Sequence, residues 1–218
     1  MMVLYILVLQ RFLIQLVLNN CMLVLTGNPG VGKHTAASEI MKQNTMYEII
    51  DINNLAIELG LAEKAKETLE VYVAELKIKM KQKVSNNSLI VGHLAPYVLD
   101  ESDVDVAIVL RKNPMDLIKV FKNRGYSKEK IKSNTAAEFI GVTFNDSISS
   151  FGKEKTFQID TTNKTPEQVT SIIDKIVNGK NKGDIVDWFH LVDKSAASHE
   201  LLDTVSYTHL TLPTILLV

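Results

Sequence analysis

Residues 22–35 read MLVLTGNPGVGKHT, and this stretch carries the strongest structural signal in the chain. The apolar run Met22–Thr26 predicts a buried strand, and the glycines after it predict a tight turn that opens a helix. Residues 27–33 match G-x-x-x-x-G-K, the pattern of a loop that wraps around nucleotide phosphates. Glycines let the backbone approach phosphate closely, its N–H groups point inward, and Lys33 adds a full positive charge. The stretch therefore predicts a P-loop between a strand and a helix.

Four further apolar runs bounded by turn residues predict strands: Tyr47–Asp51, Leu89–Val91, Asp105–Leu110 and Thr156–Asp160. The longer segments between them have helical spacing. One predicted helix carries a single apolar stripe, made of Leu69, Val73, Leu76 and Met80. Two others begin at Asn113-Pro114 and Thr165-Pro166, where a capping residue precedes proline. Strands that alternate with helices predict an α/β domain of the P-loop NTPase class over about residues 22–192. Its five-stranded parallel sheet is expected to have helices on both faces.

The amino-acid composition is that of a globular domain and argues against several classes of protein. Of the 218 residues, 46% are hydrophobic and 22% are charged, which is typical of a globular domain. The 24 basic and 25 acidic side chains nearly cancel, which argues against direct sequence-specific binding of nucleic acid. The single cysteine, Cys21, excludes a disulfide framework and a four-cysteine zinc site. A reducing, cytoplasmic compartment is the default expectation.

The two ends differ from the middle. In residues 1–21 an apolar run breaks at Gln10, too short for a membrane span, and a basic start typical of a secretory signal is missing. A membrane-surface anchor, an extra strand or helix, and a misplaced start all fit this extension, and we favour the misplaced start. Residues 193–218 form a tail to which we assign no function. Its last part, 205–218, resembles translated sequencing adapter and is interpreted as non-native, with a short terminal strand as the alternative.

The residue after the loop lysine departs from the usual pattern. Serine or threonine normally stands there and binds magnesium through its hydroxyl, but this chain has His34, followed by Thr35. Imidazole is a poor ligand for a hard cation. We therefore expect Mg²⁺ to accompany ATP, with Thr35 as a candidate ligand.

Several stretches together resemble the small adenylate-kinase-like NTPases. They are GNPGVGKHT at 27–35, LIVGHLAPYV at 89–98, DVAIVLRKNP at 105–114, RGYSKEKIKSN at 124–134 and GDIVDW at 183–188. That family includes archaeal adenylate kinase relatives and a eukaryotic nuclear adenylate kinase isoenzyme tied to ribosome maturation. The resemblance implies a nucleoside monophosphate kinase fold and the reaction ATP plus AMP to two ADP. It also implies an alternative of another class, an ATP-hydrolysing assembly factor in rRNA processing that acts on a small ribosomal subunit protein.

The resemblance also implies site residues. It assigns the ATP phosphates to loop positions Gly30, Val31, Gly32, Lys33, His34 and Thr35. It implies an AMP-binding segment at about residues 50–73 and a short lid at about 123–133, with Arg124 at the transferred phosphate. It further implies that His93 closes a motif that positions metal and water.

Residue chemistry leaves alternatives at these positions. Arg124 is either an electrostatic partner of Lys33 or a solvent-facing arginine at a helix end. His93 follows a predicted buried strand at the edge where α/β sheets bind ligands, and it is either functional or packed. Many relatives carry an acid where this chain has Val91, so the best acidic substitute by topology is Asp51, a second candidate magnesium ligand. Trp188 is predicted to pack the C-terminal segment rather than to stack on a base.

Overall fold

The computed structural model describes residues 21–43, 47–65 and 68–191, and the side chains of Ala65, Thr68 and His190 are not described. The predictions for the N-terminal extension and for the tail from residue 193 fall outside these ranges, apart from Cys21, which is buried.

A five-stranded parallel sheet forms the centre of the domain, in the order β2-β5-β1-β6-β7. A separate two-stranded antiparallel hairpin consists of β3 and β4. The strands are β1 Leu23–Thr26, β2 Glu48–Asp51, β3 Ala62–Ala65, β4 Thr68–Val71, β5 Ser88–Val91, β6 Val106–Arg111 and β7 Thr156–Asp160. The described helices are α1 Lys33–Gln43, α2 Ile52–Glu58, α3 Val73–Lys83, α4 Ala95–Val98, α5 Pro114–Asn123, α6 Lys128–Ile140, α7 Val142–Phe151 and α8 Pro166–Val177. The predicted α/β class and five-stranded parallel sheet are confirmed.

The central strand β1 is buried along its whole length because helices cover both faces of the sheet. Alternate residues of a strand point to opposite faces. Leu23 and Leu25 accordingly pack in one core cluster with α1, α5 and α8, and Met22 and Val24 pack in the other with α2, α3, α4 and α7. All five strands therefore end at one well-supported edge of the sheet.

Proline and its capping residue start two helices as predicted. The Asn113 side chain accepts a hydrogen bond from the Met115 amide at the start of α5. The Thr165 hydroxyl accepts one from Gln168, whose side chain in turn accepts from the Thr165 amide. Such reciprocal bonds satisfy amides that have no partner within the first helical turn.

The prediction that placed Leu69 in a helix is wrong about where that helix starts. Leu69 lies in β4, and α3 begins only at Val73. Leu76 and Met80 are fully buried, so the second half of the predicted stripe does face the core. The hairpin was missed because its strands, AEKA and TLEV, are too polar and short to show a buried-strand pattern.

Leu76→Ala tests whether α3 is anchored through this stripe. Leu76 is fully buried, and truncation should lower the free energy of unfolding by about 2–5 kcal/mol because it leaves a cavity. Ile78 on the same helix is 60% exposed, so Ile78→Ala should change it by no more than about 0.5 kcal/mol. Chemical denaturation of both variants makes the comparison, and equal losses would contradict the packing.

Candidate functional site

The phosphate loop connects β1 directly to α1. Gly27 and Gly30 have φ angles of 131° and 85°, a region that side-chain-bearing residues rarely adopt. A Cβ atom on Gly27 would stand 2.3 Å from the backbone oxygen of Leu110, so only glycine fits against β6 there. The loop therefore turns sharply into the start of α1, whose N-terminus favours anions.

Lys33, the first residue of α1, is buried, and its side chain reaches back to the start of the loop. Its ammonium donates hydrogen bonds to the carbonyl oxygens of Gly27 at 2.7 Å and Asn28 at 2.9 Å. Burial lowers the pKa of Lys33 to about 8, the negative charges of Glu138 and Asp51 oppose that shift, and the positive charge of Arg124 adds to it. The lysine is thus a desolvated cation that can exchange backbone carbonyls for phosphate oxygens.

His34 and Thr35 point to different parts of the site. The His34 ring is largely exposed, and its Nε2 lies 2.5 Å from a carboxylate oxygen of Asp51. The other oxygen of Asp51 accepts the Asn54 amide and caps α2. Thr35 instead lines a cleft beside the loop. The structure therefore joins His34 to Asp51, whereas Thr35 belongs to a cleft that Asp51 does not line.

Few side chains at the site could bind magnesium. Among the ranges that the structure describes, no group of three or more His, Cys, Asp or Glu could hold a metal. Magnesium at nucleotide sites is typically bound by one or two protein oxygens, with phosphates and water completing the shell. The Asp51 carboxylate fits that requirement, and Thr35 offers a hydroxyl at the loop itself.

His93 stands just beyond β5, at the carboxyl edge of the sheet. The residue is exposed at the surface, yet the protein atoms around its ring desolvate it and lower the pKa of His93 to about 4. The nearby charge of Lys33 acts in the same direction, and that of Asp51 opposes it. His93 is therefore uncharged near neutral pH and can accept or donate one hydrogen bond without adding positive charge.

Arg124 lies at the end of α5, where it forms the helix C-cap. Its side chain is exposed, and its charge acts on Lys33. Gly125 follows with a φ angle of 69°, and the next helix, α6, begins at Lys128 with Ser127 as its N-cap. The predicted lid at 123–133 is thus a short turn between two helices and the first part of α6. The predicted AMP segment at 50–73 contains α2 and the missed hairpin.

Sequence reasoning missed the residues opposite the loop. A cleft of about 120 Å³ lies beside it, lined by Gly30, Val31, Gly32, Thr35, Ala36, Lys112, Thr161, Lys164, Pro166 and Val169. The Thr161 hydroxyl donates to the backbone oxygen of Val31 at 3.0 Å. Thr161 follows β7 as His93 follows β5, so the rule that parallel strands bind ligands at their carboxyl ends could have found it.

The fold and this loop define a P-loop protein of the nucleotide kinase type. Residues 23–141 match the AAA domain family. The chain is 33% identical to the protein named "Putative adenylate kinase" from Thermococcus gammatolerans, over 79% of this chain and 95% of that protein. Proteins of the same name from Pyrococcus abyssi and Methanosarcina acetivorans are 33% and 32% identical, with 94% and 89% of their lengths covered. The chain belongs to this adenylate-kinase-like family.

The helices give no sign of a membrane span. Within residues 21–43, 47–65 and 68–191, every helix is too short or too polar to cross a bilayer.

The pKa of Lys33 predicts how ATP affinity depends on pH. As the pH rises through about 8, the amine loses its proton and affinity should fall, whereas below that value the ammonium is already present. Above pH 8, ATP binding should therefore take up a proton. Calorimetry in buffers of different ionisation enthalpy measures this uptake. Lys33→Met should abolish it, and uptake that persists in this variant would assign the proton to another group.

Proposed function

We propose that the protein transfers the γ-phosphoryl group of ATP to AMP and forms two molecules of ADP. The observation that carries this proposal is the buried ammonium of Lys33 in the phosphate loop, within electrostatic reach of Arg124. Phosphoryl transfer requires mainly positioning and positive charge from the protein, and these two cations supply the charge. Relatives that bear the name "Putative adenylate kinase" support AMP as the acceptor.

The donor nucleotide would occupy the loop and the cleft beside it. The amides of Gly30, Val31 and Gly32 and the N-terminus of α1 would bind the β- and γ-phosphates. Of the two residues after the lysine, Thr35 lines the cleft beside the loop, whereas His34 contacts Asp51. Lys112 and Lys164 line the adjoining cleft and add positive charge for the rest of the nucleotide.

The acceptor would bind across the edge of the sheet, between β2 and α3. There α2 and the hairpin form the segment 50–73, which follows the strand that ends at Asp51. An oxygen of the AMP phosphate attacks the γ-phosphorus, the bond from that phosphorus to the bridging oxygen breaks, and ADP leaves with the electron pair. The nucleophile is already an anion, so no side chain has to remove a proton.

Lys33 and Arg124 would stabilise the charge that spreads over the transferred group. Lys33 remains fixed in the loop, whereas Arg124 stands beside Gly125, where a backbone rotation can bring it over the phosphates. Magnesium, when bound with ATP, neutralises phosphate charge, and Asp51, with Thr35 as the second candidate, would hold it.

A slow ATPase that acts as an assembly factor is the second candidate function. The observation that favours it is His93, which stays uncharged beside Lys33 and could hold a water molecule near the γ-phosphate. In that case a protein partner, such as one of the small ribosomal subunit, would respond to the nucleotide state.

The dependence of ADP production on AMP separates the two functions. With magnesium and ATP, we expect the full chain to produce ADP rapidly only when AMP is added, because AMP provides the attacking oxygen. A coupled ADP assay with and without AMP measures this. A slow signal that ignores AMP would instead support the ATPase.

Variants of the two cations test the mechanism. Lys33→Ala and Arg124→Ala should each reduce AMP-dependent turnover about 100-fold or more, because each removes charge from the transition state. Lys119→Ala on α5 removes an exposed lysine that pairs with Asp116 and should leave turnover unchanged. Steady-state kinetics compare the three variants, and full activity in Lys33→Ala would refute the mechanism.

A further inference from the structure

A buried polar cluster joins the phosphate loop to the C-terminal part of the domain. We call it the Glu138 cluster, and its members are Asn28, Arg111, Glu138, Gln158 and Trp188, all of them buried. Arg111 Nε donates to the Glu138 carboxylate at 2.7 Å, and Arg111 Nη2 donates to the Glu138 carbonyl at 2.7 Å. The proposed reaction uses none of these side chains directly.

The cluster reaches the phosphate loop through Asn28. The Asn28 amide donates to Glu138 Oε2 at 2.9 Å, and its amide oxygen accepts the Thr143 hydroxyl at 3.0 Å. The side chain is thereby fixed at both ends. The backbone oxygen of the same residue accepts the Lys33 ammonium. Glu138 is therefore one residue removed from the cation that would bind ATP.

The cluster reaches the GDIVDW stretch through Trp188. The indole N–H of Trp188 donates to Glu138 Oε1 at 3.3 Å, and its ring packs with Phe139. The start of the stretch lies against β7, where the Asp184 amide donates to the Gln158 carbonyl at 2.8 Å. Gln158 connects this stretch back to the cluster, because its side-chain oxygen accepts a hydrogen bond from Arg111 Nη1.

Burial makes this cluster sensitive to the loss of any member. Burial raises the pKa of Glu138, and the charge and hydrogen bond of Arg111 oppose that shift. A buried carboxylate is stable only while its hydrogen bonds are satisfied. When a donor is removed, the remaining groups must rearrange, and the amide of Asn28 is among them.

We propose that Glu138 is a positioning residue for the phosphate loop, and that residues 183–188 act on ATP binding through Trp188. This proposal rests on the proposed function only in that the loop binds ATP. It assigns a role to residues 183–188, which lie outside residues 23–141, the range that matches the AAA domain family.

Trp188→Phe is the first test, because phenylalanine keeps an aromatic ring beside Phe139 and removes the N–H donor together with part of the larger indole ring. We expect ATP to bind the full-length variant about 5-fold more weakly, the effect of one lost hydrogen bond to a buried acceptor. Ile185→Ala is the matched control, since Ile185 lies in the same stretch and is 99% exposed. Its affinity should equal that of the wild type in calorimetry.

Glu138→Gln is the second test and removes the charge at nearly constant shape. We expect ATP affinity to fall about 10- to 100-fold, because hydrogen bonds to a charged group are lost. Glu154→Gln, at an exposed position before β7 and away from the loop, the lid and the cleft, should have no effect.

Trp188 provides a readout that a purely structural role would not change. It is the only tryptophan in the sequence, so its fluorescence reports on the cluster alone. ATP should change the emission of the wild type and of Ile185→Ala. In Glu138→Gln the change should disappear at ATP concentrations that still saturate the site.

The outcomes separate this proposal from the proposed function. If the wild type binds ATP but Trp188→Phe and Glu138→Gln bind it equally tightly, the positioning role is wrong and the kinase proposal stands. If the variants lose thermal stability without losing affinity, the cluster is structural only and the positioning role is again wrong. If the wild type does not bind ATP, both proposals fail.

Discussion

The hydrogen bonds from the Lys33 ammonium to two carbonyls of its own loop are the interaction around which the domain is arranged. A buried ammonium is unstable without such partners. The loop can provide them only because Gly27 turns tightly against β6 and because β1 is fixed by a strand on either side. The polar contacts of Asn28 then hold the second carbonyl in place. The loop is thus supported both by its own backbone and by side chains far away in sequence.

The proposed donor and acceptor sides of the site differ in how they are built. On the donor side, the Thr161 hydroxyl that follows β7 lies within hydrogen-bond distance of the Val31 carbonyl in the loop and of the Arg111 carbonyl in β6, so it ties the loop to the sheet. The acceptor side consists of the short helix α2, capped by Asp51, and a polar two-stranded hairpin. His34 connects the two sides through Asp51. Where the usual loop pattern has a serine or threonine, this chain therefore has a histidine that contacts the residue at the end of β2.

The sequence was sufficient for the sheet and for the phosphate loop, because apolar runs and the P-loop pattern are local signals. The roles of Lys33, His93 and Arg124 stay predictions; in the structure the charge of Arg124 acts on Lys33, and the charge of Lys33 acts on His93. The hairpin and the true start of α3 were not found, since alternating charges conceal short strands. The Glu138 cluster was also out of reach: Asn28 and Glu138 are brought together only by the tertiary fold, and each looks like an ordinary polar residue in sequence. Trp188, in contrast, was predicted to pack, and it is buried.

The strand order has a consequence for how the chain reaches this state. The central strand β1 is the first strand in the chain, but it pairs only with β5 and β6, which are synthesised much later. Forming such contacts requires closure of long loops, which slows folding. A nascent chain that has exposed β1 must hold this apolar strand unpaired at least until β5 has left the ribosome, and its second edge stays open until β6 follows. The phosphate loop therefore cannot take shape during the early part of translation, and its assembly is a late event in the folding of the domain.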